Sequence, residues 1–199
     1  AMVGEISLAH HGVLFLDELP EFPRPVLETL RQPLEDDVVT IARTSATVRF
    51  PASFMLVAAM NPTPKGDVSP GEVGRREMER YLSRLSGPLL DRIDMHVEAP
   101  GVPFNELSGE PRGTTTATMR TLVLDGRARM HARQDGTTNA HLSGKQLDRF
   151  APLNESAKSL LGQAIQGMGL SARAYDKIRR VARTIADIAG DDALKTDSE

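Results

Sequence analysis

The sequence predicts an α/β fold with a parallel sheet in its first half and an all-helical unit in its second. Two short apolar runs, Gly12-Val13-Leu14-Phe15-Leu16 and Phe54 to Met60, are separated by helical stretches and stop abruptly at polar residues, Asp17-Glu18 and Asn61-Pro62. Runs of this kind read as strands buried on both faces of a parallel sheet, whose carboxyl ends meet a site. Beyond Gly101 to Gly113, a stretch containing Pro103 and Pro111, apolar residues recur at helical spacing. The expected divisions are therefore 1–100, a linker at 101–113, and 114–199.

Each element has its own signal. After the first strand, Pro23 and Pro25 open a short helix carrying Val26, Leu27, Leu30 and Leu34, with Pro33 limiting its length. Val38 to Arg43 and Thr47 to Phe50 are rich in β-branched residues and flank Thr44-Ser45-Ala46, which predicts a hairpin inserted before the second strand. Asp67 to Gly74 reads as a loop. From Arg75 to Leu85 a helix is expected, with Met78, Tyr81, Leu82 and Leu85 on one side and Arg76, Arg80 and Arg84 on another. Ile93, Met95 and Val97 alternate with Asp94, His96 and Glu98 and predict one more strand.

In the second half, Thr114 to Gln134 is a helix weakened by Gly126, and Ser143 to Phe150 is a shorter one. Asn154 caps a third helix that uses Ala157, Leu160, Leu161, Ala164 and Ile165. The last has Ser171 as N-cap and Gly190 at its end, and Ala174, Ile178, Val181, Ile185 and Ile188 form an apolar stripe. The tail after Gly190 is expected to be frayed or cut from something longer.

Composition bounds the function classes. With 40% hydrophobic and 26% charged residues among 199, the chain has the balance of a folded globular protein. It has no cysteine, which excludes disulfides and thiolate metal sites. No apolar stretch approaches the roughly 18 residues a bilayer span needs, so a soluble, cytoplasmic chain is expected. A net charge of −3 supplies no global basic field. Contact with nucleic acid would therefore depend on local arginine clusters.

An apolar strand followed by Asp-Glu is the Walker B arrangement, in which the aspartate holds Mg²⁺ and the glutamate polarises the water that attacks a γ-phosphate. Asp17 and Glu18 fit those roles, although strand ends often meet ordinary acidic loops. Asn61, at the end of the next apolar strand, fits a residue that orients the same water, and it equally fits a turn opener before proline. His10 and His11 lack further ligands at metal spacing, which favours ordinary polar roles.

Several long blocks resemble the magnesium-chelatase-like ComM/YifB family of AAA+ ATPases. They are Gly4 to Phe22, Leu27 to Asp36, Phe54 to Pro62, Ser86 to Asp94 and Gly169 to Tyr175. The resemblance covers most of the chain. It implies the second half of an AAA+ P-loop core, with a hairpin inserted in its parallel sheet, followed by a helical lid. It also implies ATP and Mg²⁺ as cofactors, and a ring, in this family a hexamer. Arg92 becomes the arginine finger that reaches a neighbouring subunit's ATP, and Arg173 the sensor-2 arginine that contacts the γ-phosphate from the lid. A guanidinium suits both tasks because it is permanently charged and binds phosphate oxygens in bidentate fashion. Arg43 and Arg49 fall on a hairpin that resembles the insertion facing the pore in this clade, where they would grip a DNA backbone, and they fit solvated strand residues equally. The function implied is an ATP-driven DNA-remodelling and branch-migration motor in competence and recombination. A chelatase-type ATPase for metal insertion and a non-catalytic assembly module are the alternatives.

The chain departs from the family in three places. A phosphate-binding loop reads G-x-x-x-x-G-K-[ST], whereas the only Gly-Lys pair here, Gly144-Lys145, is followed by Gln146. The chain is therefore read as a C-terminal portion that does not hydrolyse ATP unaided, with an incomplete sheet and an exposed edge. Where many relatives have a cysteine-containing loop after Asn61-Pro62, this sequence has Thr63-Pro64-Lys65-Gly66-Asp67. It also stops where relatives continue into a further helix.

Overall fold

The computed structural model describes residues 4–43, 46–61, 72–104, 108–109, 113–192 and 194. The chain divides into two compact units after Met95. The first is mixed α/β and the second is helical, in keeping with the predicted class.

In the first unit, α1 (Glu5–Leu8) leads into β1 (Val13–Leu16), and a 3₁₀ turn at Leu19–Glu21 precedes α2 (Arg24–Thr29) and α3 (Arg31–Asp36). Pro25 lies at the start of α2, where its missing N–H is harmless. Pro33 breaks the helix one turn upstream, because its ring crowds the carbonyl four residues back, at Thr29. That is where α2 ends. β2 (Val38–Arg43) and β3 (Ala46–Pro51) form the expected antiparallel hairpin, in which Val38 pairs with Pro51 and Arg43 with Ala46. Thr44 and Ser45, expected in its turn, lie outside the described residues. The hairpin is fastened at its base by Ala52 N donating to Asp37 O at 2.7 Å. β4 (Met55–Ala58) then pairs in parallel with β1, with Val13 opposite Met55 and Leu16 opposite Ala58. α4 (Glu72–Leu82) begins three residues before the expected helix, so Glu72 to Gly74 are helical, while residues 67–71 of the predicted loop lie outside the described set. α5 (Gly87–Leu90) follows, capped by Ser86 Oγ accepting from Leu89 N.

Leu19, Leu27, Leu30, Leu85 and Leu89 form the core of this unit, with Leu14, Leu16 and Ile93 packed against it. Only one face of the sheet meets that core. Val13, Phe15, Met55 and Val57 are 52%, 58%, 60% and 39% exposed, which corrects the expectation of strands buried on both faces. Period-2 alternation sends Leu14 and Leu16 inward and leaves their neighbours on a face that no described residue covers. The strand expected over Ile93 to Val97 is likewise not formed. A strand persists only as part of a paired ladder, and neither sheet among the described residues takes this segment in.

The second unit contains α6 (Thr116–Gln134), a 3₁₀ turn at Asn139–His141, α7 (Gly144–Phe150), α8 (Glu155–Met168) and α9 (Ala172–Ala189). Three caps fall where the sequence places them. Asn154 and Ser171 accept from Ala157 N and Ala174 N, and Gly190 ends α9 at φ 85°. Ser143 and Gln146 make a reciprocal capping box on α7, so Ser143-Gly144-Lys145-Gln146 is a helix start.

The packing of α9 overturns its apolar stripe as the buried face. Arg179, Arg183, Ala186 and Asp187 are buried, whereas Ile178, Ile185 and Ile188 are 37%, 62% and 40% exposed. Asp187, 1% exposed, accepts from Arg183, Arg133 and Asn139, and the Arg183 guanidinium also donates to the backbone oxygens of Asp191 and Asp192. The tail is therefore tied back here, with Leu194 6% exposed, and does not fray where it is described. Gly126 has a positive role as well. A Cβ there would meet Ile188 Cγ1 at 3.2 Å, so glycine is what lets α6 and α9 approach closely.

Candidate functional site

The turn after β1 is where the acidic pair emerges. Ala59 N donates to Leu16 O at 2.9 Å and Leu19 N donates to Ala59 O at 3.0 Å, so the chain stays bonded to β4 on both sides of Asp17-Glu18. Buried Leu19 and Pro20 hold the far end of the turn. Between these anchors Glu18 takes the left-handed conformation, φ 52° and ψ 45°, and its N–H donates to Asp17 Oδ1 at 2.9 Å. A non-glycine residue there stores strain on the order of 1 kcal/mol or more, and such strain clusters at functional turns. Both acids are exposed. Asn61, also exposed, lies three residues past Ala58, the last residue of β4. Parallel pairing thus brings Asp17, Glu18 and Asn61 to the neighbouring carboxyl ends of two adjacent strands.

The donor set at this edge suits magnesium. Asp17 offers hard carboxylate oxygens, one of which is engaged by Glu18 N. Among the described residues no group of three or more metal-ligating side chains exists. Magnesium asks for no such cage, since it is commonly held by one or two carboxylates with waters and phosphate oxygens completing its shell.

Two residues not singled out for this site adjoin the turn. Arg84 Nη1 donates to Pro20 O at 3.1 Å and to Glu21 Oε2 at 2.9 Å, which ties the turn after α4 to the segment that follows the acidic pair. Tyr81 is 4% exposed beneath it. Burial first, then the negative charges of Glu21 and Glu18, raises its phenol above the ordinary value. Arg84 was visible as one of three arginines at helical spacing, but only the fold says which of them turns toward Glu21.

Arg92 sits apart from this cluster, after α5, and is held within its own unit. Its guanidinium pairs with Glu35 in the last turn of α3 and donates to Pro88 O at 2.6 Å. The side chain is 11% exposed, and Nε is buried without a hydrogen-bond partner. Arg173 lies in the first turn of α9, exposed, in the second unit. The hairpin register places Arg49 opposite Thr40 and Arg43 opposite Ala46. His10 Nδ1 accepts from Ser53 N at 3.1 Å, and His11 N donates to Ser53 O at 2.6 Å. The histidine pair thus fastens the start of β4 to the turn before β1, a structural task.

The family model for magnesium chelatase, subunit ChlI, matches residues 1–107, and that for the ChlI C-terminal region matches residues 113–198. Competence protein ComM of Haemophilus influenzae is 46% identical over 194 residues, which cover 96% of this chain and 38% of that protein. Uncharacterized protein YifB of Escherichia coli is 46% identical over 196 residues, 96% of this chain and 38% of its own length. YifB of Salmonella typhimurium is 44% identical over 189 residues. The chain spans under two-fifths of the length of these relatives.

Proposed function

Because this chain belongs to the magnesium chelatase ChlI family and resembles its ComM and YifB members, we propose that it is part of an ATP-driven motor that remodels DNA, working as a ring. The observation that carries the reading is the meeting of Asp17, Glu18 and Asn61 at adjoining strand ends. In that reading Asp17 would hold Mg²⁺, which when bound would supply charge neutralisation for the phosphates. Glu18 accepts a hydrogen bond from the attacking water and Asn61 orients that water. The strained turn fixes where the Glu18 carboxylate begins, so its position does not depend on a loose loop.

In this proposal Arg92 serves the ATP of a neighbouring subunit and Arg173 is a γ-phosphate contact. The phosphate-binding loop comes from another part of the intact protein. Glu18→Gln in that protein keeps the side chain's shape but removes its basicity. It should retain ATP binding, measured with a fluorescent nucleotide, and lower turnover by at least about 100-fold, the usual contribution of a general base. Equal turnover in variant and parent defeats the assignment. The name of the matched family favours a second reading, ATP hydrolysis coupled to metal insertion. Stimulation of hydrolysis by DNA supports the first reading, and stimulation only by chelatase partner subunits supports the second.

A further inference from the structure

The second unit carries a cleft of about 610 Å³ that has no part in the site proposed for ATP. Its walls include Arg133 at the end of α6, Asp135 in the following turn, and Lys145, Gln146, Arg149 and Phe150 on α7. Some of these groups frame the cleft. The Arg133 terminal nitrogens are bound to Asp187 and Asn139, and the Gln146 side chain caps α7 by accepting from Ser143 N at 2.9 Å. The cleft is therefore rigidly built on that side.

Lys145 and Arg149 are different. Both are exposed, and neither forms an ion pair with a described residue. Arg149 rests over the Phe150 ring, 4.9 Å from its centroid, which holds its charge at the cleft wall. The two cations stand four residues apart and share one face of α7, with Cβ atoms about 5–6 Å apart. Arg133 has a buried Nε without a hydrogen-bond partner, while its charge is taken up by Asp187. Two exposed cations, Lys145 and Arg149, thus share this wall with one carboxylate, Asp135. A concentration of like charge in a concave wall raises the local positive potential and is relieved by a bound polyanion. With a net charge of −3 on the whole chain, any attraction for a polyanion at this wall is local.

We propose that this cleft grips the phosphate backbone of a nucleic-acid strand, with Lys145 and Arg149 on neighbouring phosphates. The inference rests on the DNA-directed reading and deepens it by naming where the second unit holds the strand. Contacts of this kind are independent of base sequence. It also gives Lys145 a role outside any phosphate-binding loop.

The test uses the intact protein and labelled oligonucleotides of two unrelated sequences, titrated across a range of salt. Lys145→Gln/Arg149→Gln should weaken binding to both sequences equally and reduce the slope of log affinity against log salt by about 2, one for each phosphate no longer neutralised. Affinity for a fluorescent ATP analogue and the thermal midpoint should stay at the parent's values, since neither side chain is buried. If the parent binds DNA and the variant keeps the parent's salt slope, the cleft proposal falls and the DNA reading stands. If the variant loses nucleotide affinity alone, the cleft holds free nucleotide and the proposal is overturned. If the parent binds no oligonucleotide, both readings fall together.

Discussion

Glu35 and Arg92 show how one ion pair bears on function. Arg92 is nearly buried and its partner is 40% exposed, so the pair lies between a surface bridge, worth under about 1 kcal/mol, and a buried one, whose breaking costs about 3–5 kcal/mol. A double-mutant cycle of Arg92→Ala and Glu35→Ala, followed by urea denaturation, should return a coupling of about 1–2 kcal/mol. An arginine that serves a neighbour's phosphate must leave this carboxylate. Glu35→Gln weakens the hold without emptying the space, and in the intact protein it should alter turnover while leaving ATP affinity unchanged. The Asp17-Glu18 motif was legible from residues alone because a strand end and two acids are contiguous in the chain. The Glu35 pairing was not, since 57 residues separate its partners.

Among the elements, α9 carries the sharpest lesson. Its apolar stripe was plain in the sequence, yet the structure buries the face bearing Arg179, Arg183 and Asp187. Periodicity reports which residues share a face, not which face meets a neighbour. The choice here follows from mutual satisfaction of charge. Burial pushes the Asp187 carboxyl up, but hydrogen bonds from Arg133 and Asn139 and the charges of Arg183 and Arg133 outweigh it, and the acid is held below its ordinary value. Asp187→Ala strands two guanidinium groups and should cost about 3–5 kcal/mol, read as a fall in the urea midpoint. The sign of the pH dependence follows. A depressed folded value means that this stabilisation is present above the unfolded carboxylate range, near pH 4, and is lost as pH falls through the folded value. Acid titration of the helical unit's circular dichroism should show that loss, and Asp187→Asn should flatten it. Gly126 supplies a second test. Gly126→Leu forces a side chain against Ile188 and should destabilise by about 1–3 kcal/mol, despite leucine's better helix propensity.

At the level of the whole molecule, the two-stranded parallel sheet is open on one face, with Val13, Phe15, Met55 and Val57 side by side. Parallel sheets are ordinarily covered on both faces, and an uncovered apolar patch on a folded chain promotes association. The 199-residue chain alone should therefore bind a hydrophobic dye and associate with rising concentration in sedimentation, and Phe15→Ser with Val57→Thr should reduce both. No helix among the described residues is long and apolar enough to cross a membrane.

The sequence by itself determined the two apolar strands, the hairpin and the helices of the second unit, the caps at Asn154, Ser171 and Gly190, and that Asp17-Glu18 and Asn61 each follow an apolar strand, because these depend on neighbours a few residues away. Tertiary structure alone decided that β1 and β4 are adjacent, which makes one edge of those three residues. It also decided that Ile93 to Val97 joins neither described sheet and that α9 turns its charges inward. Ladder pairing and the satisfaction of buried charge are settled between segments distant along the chain, and no local pattern records them.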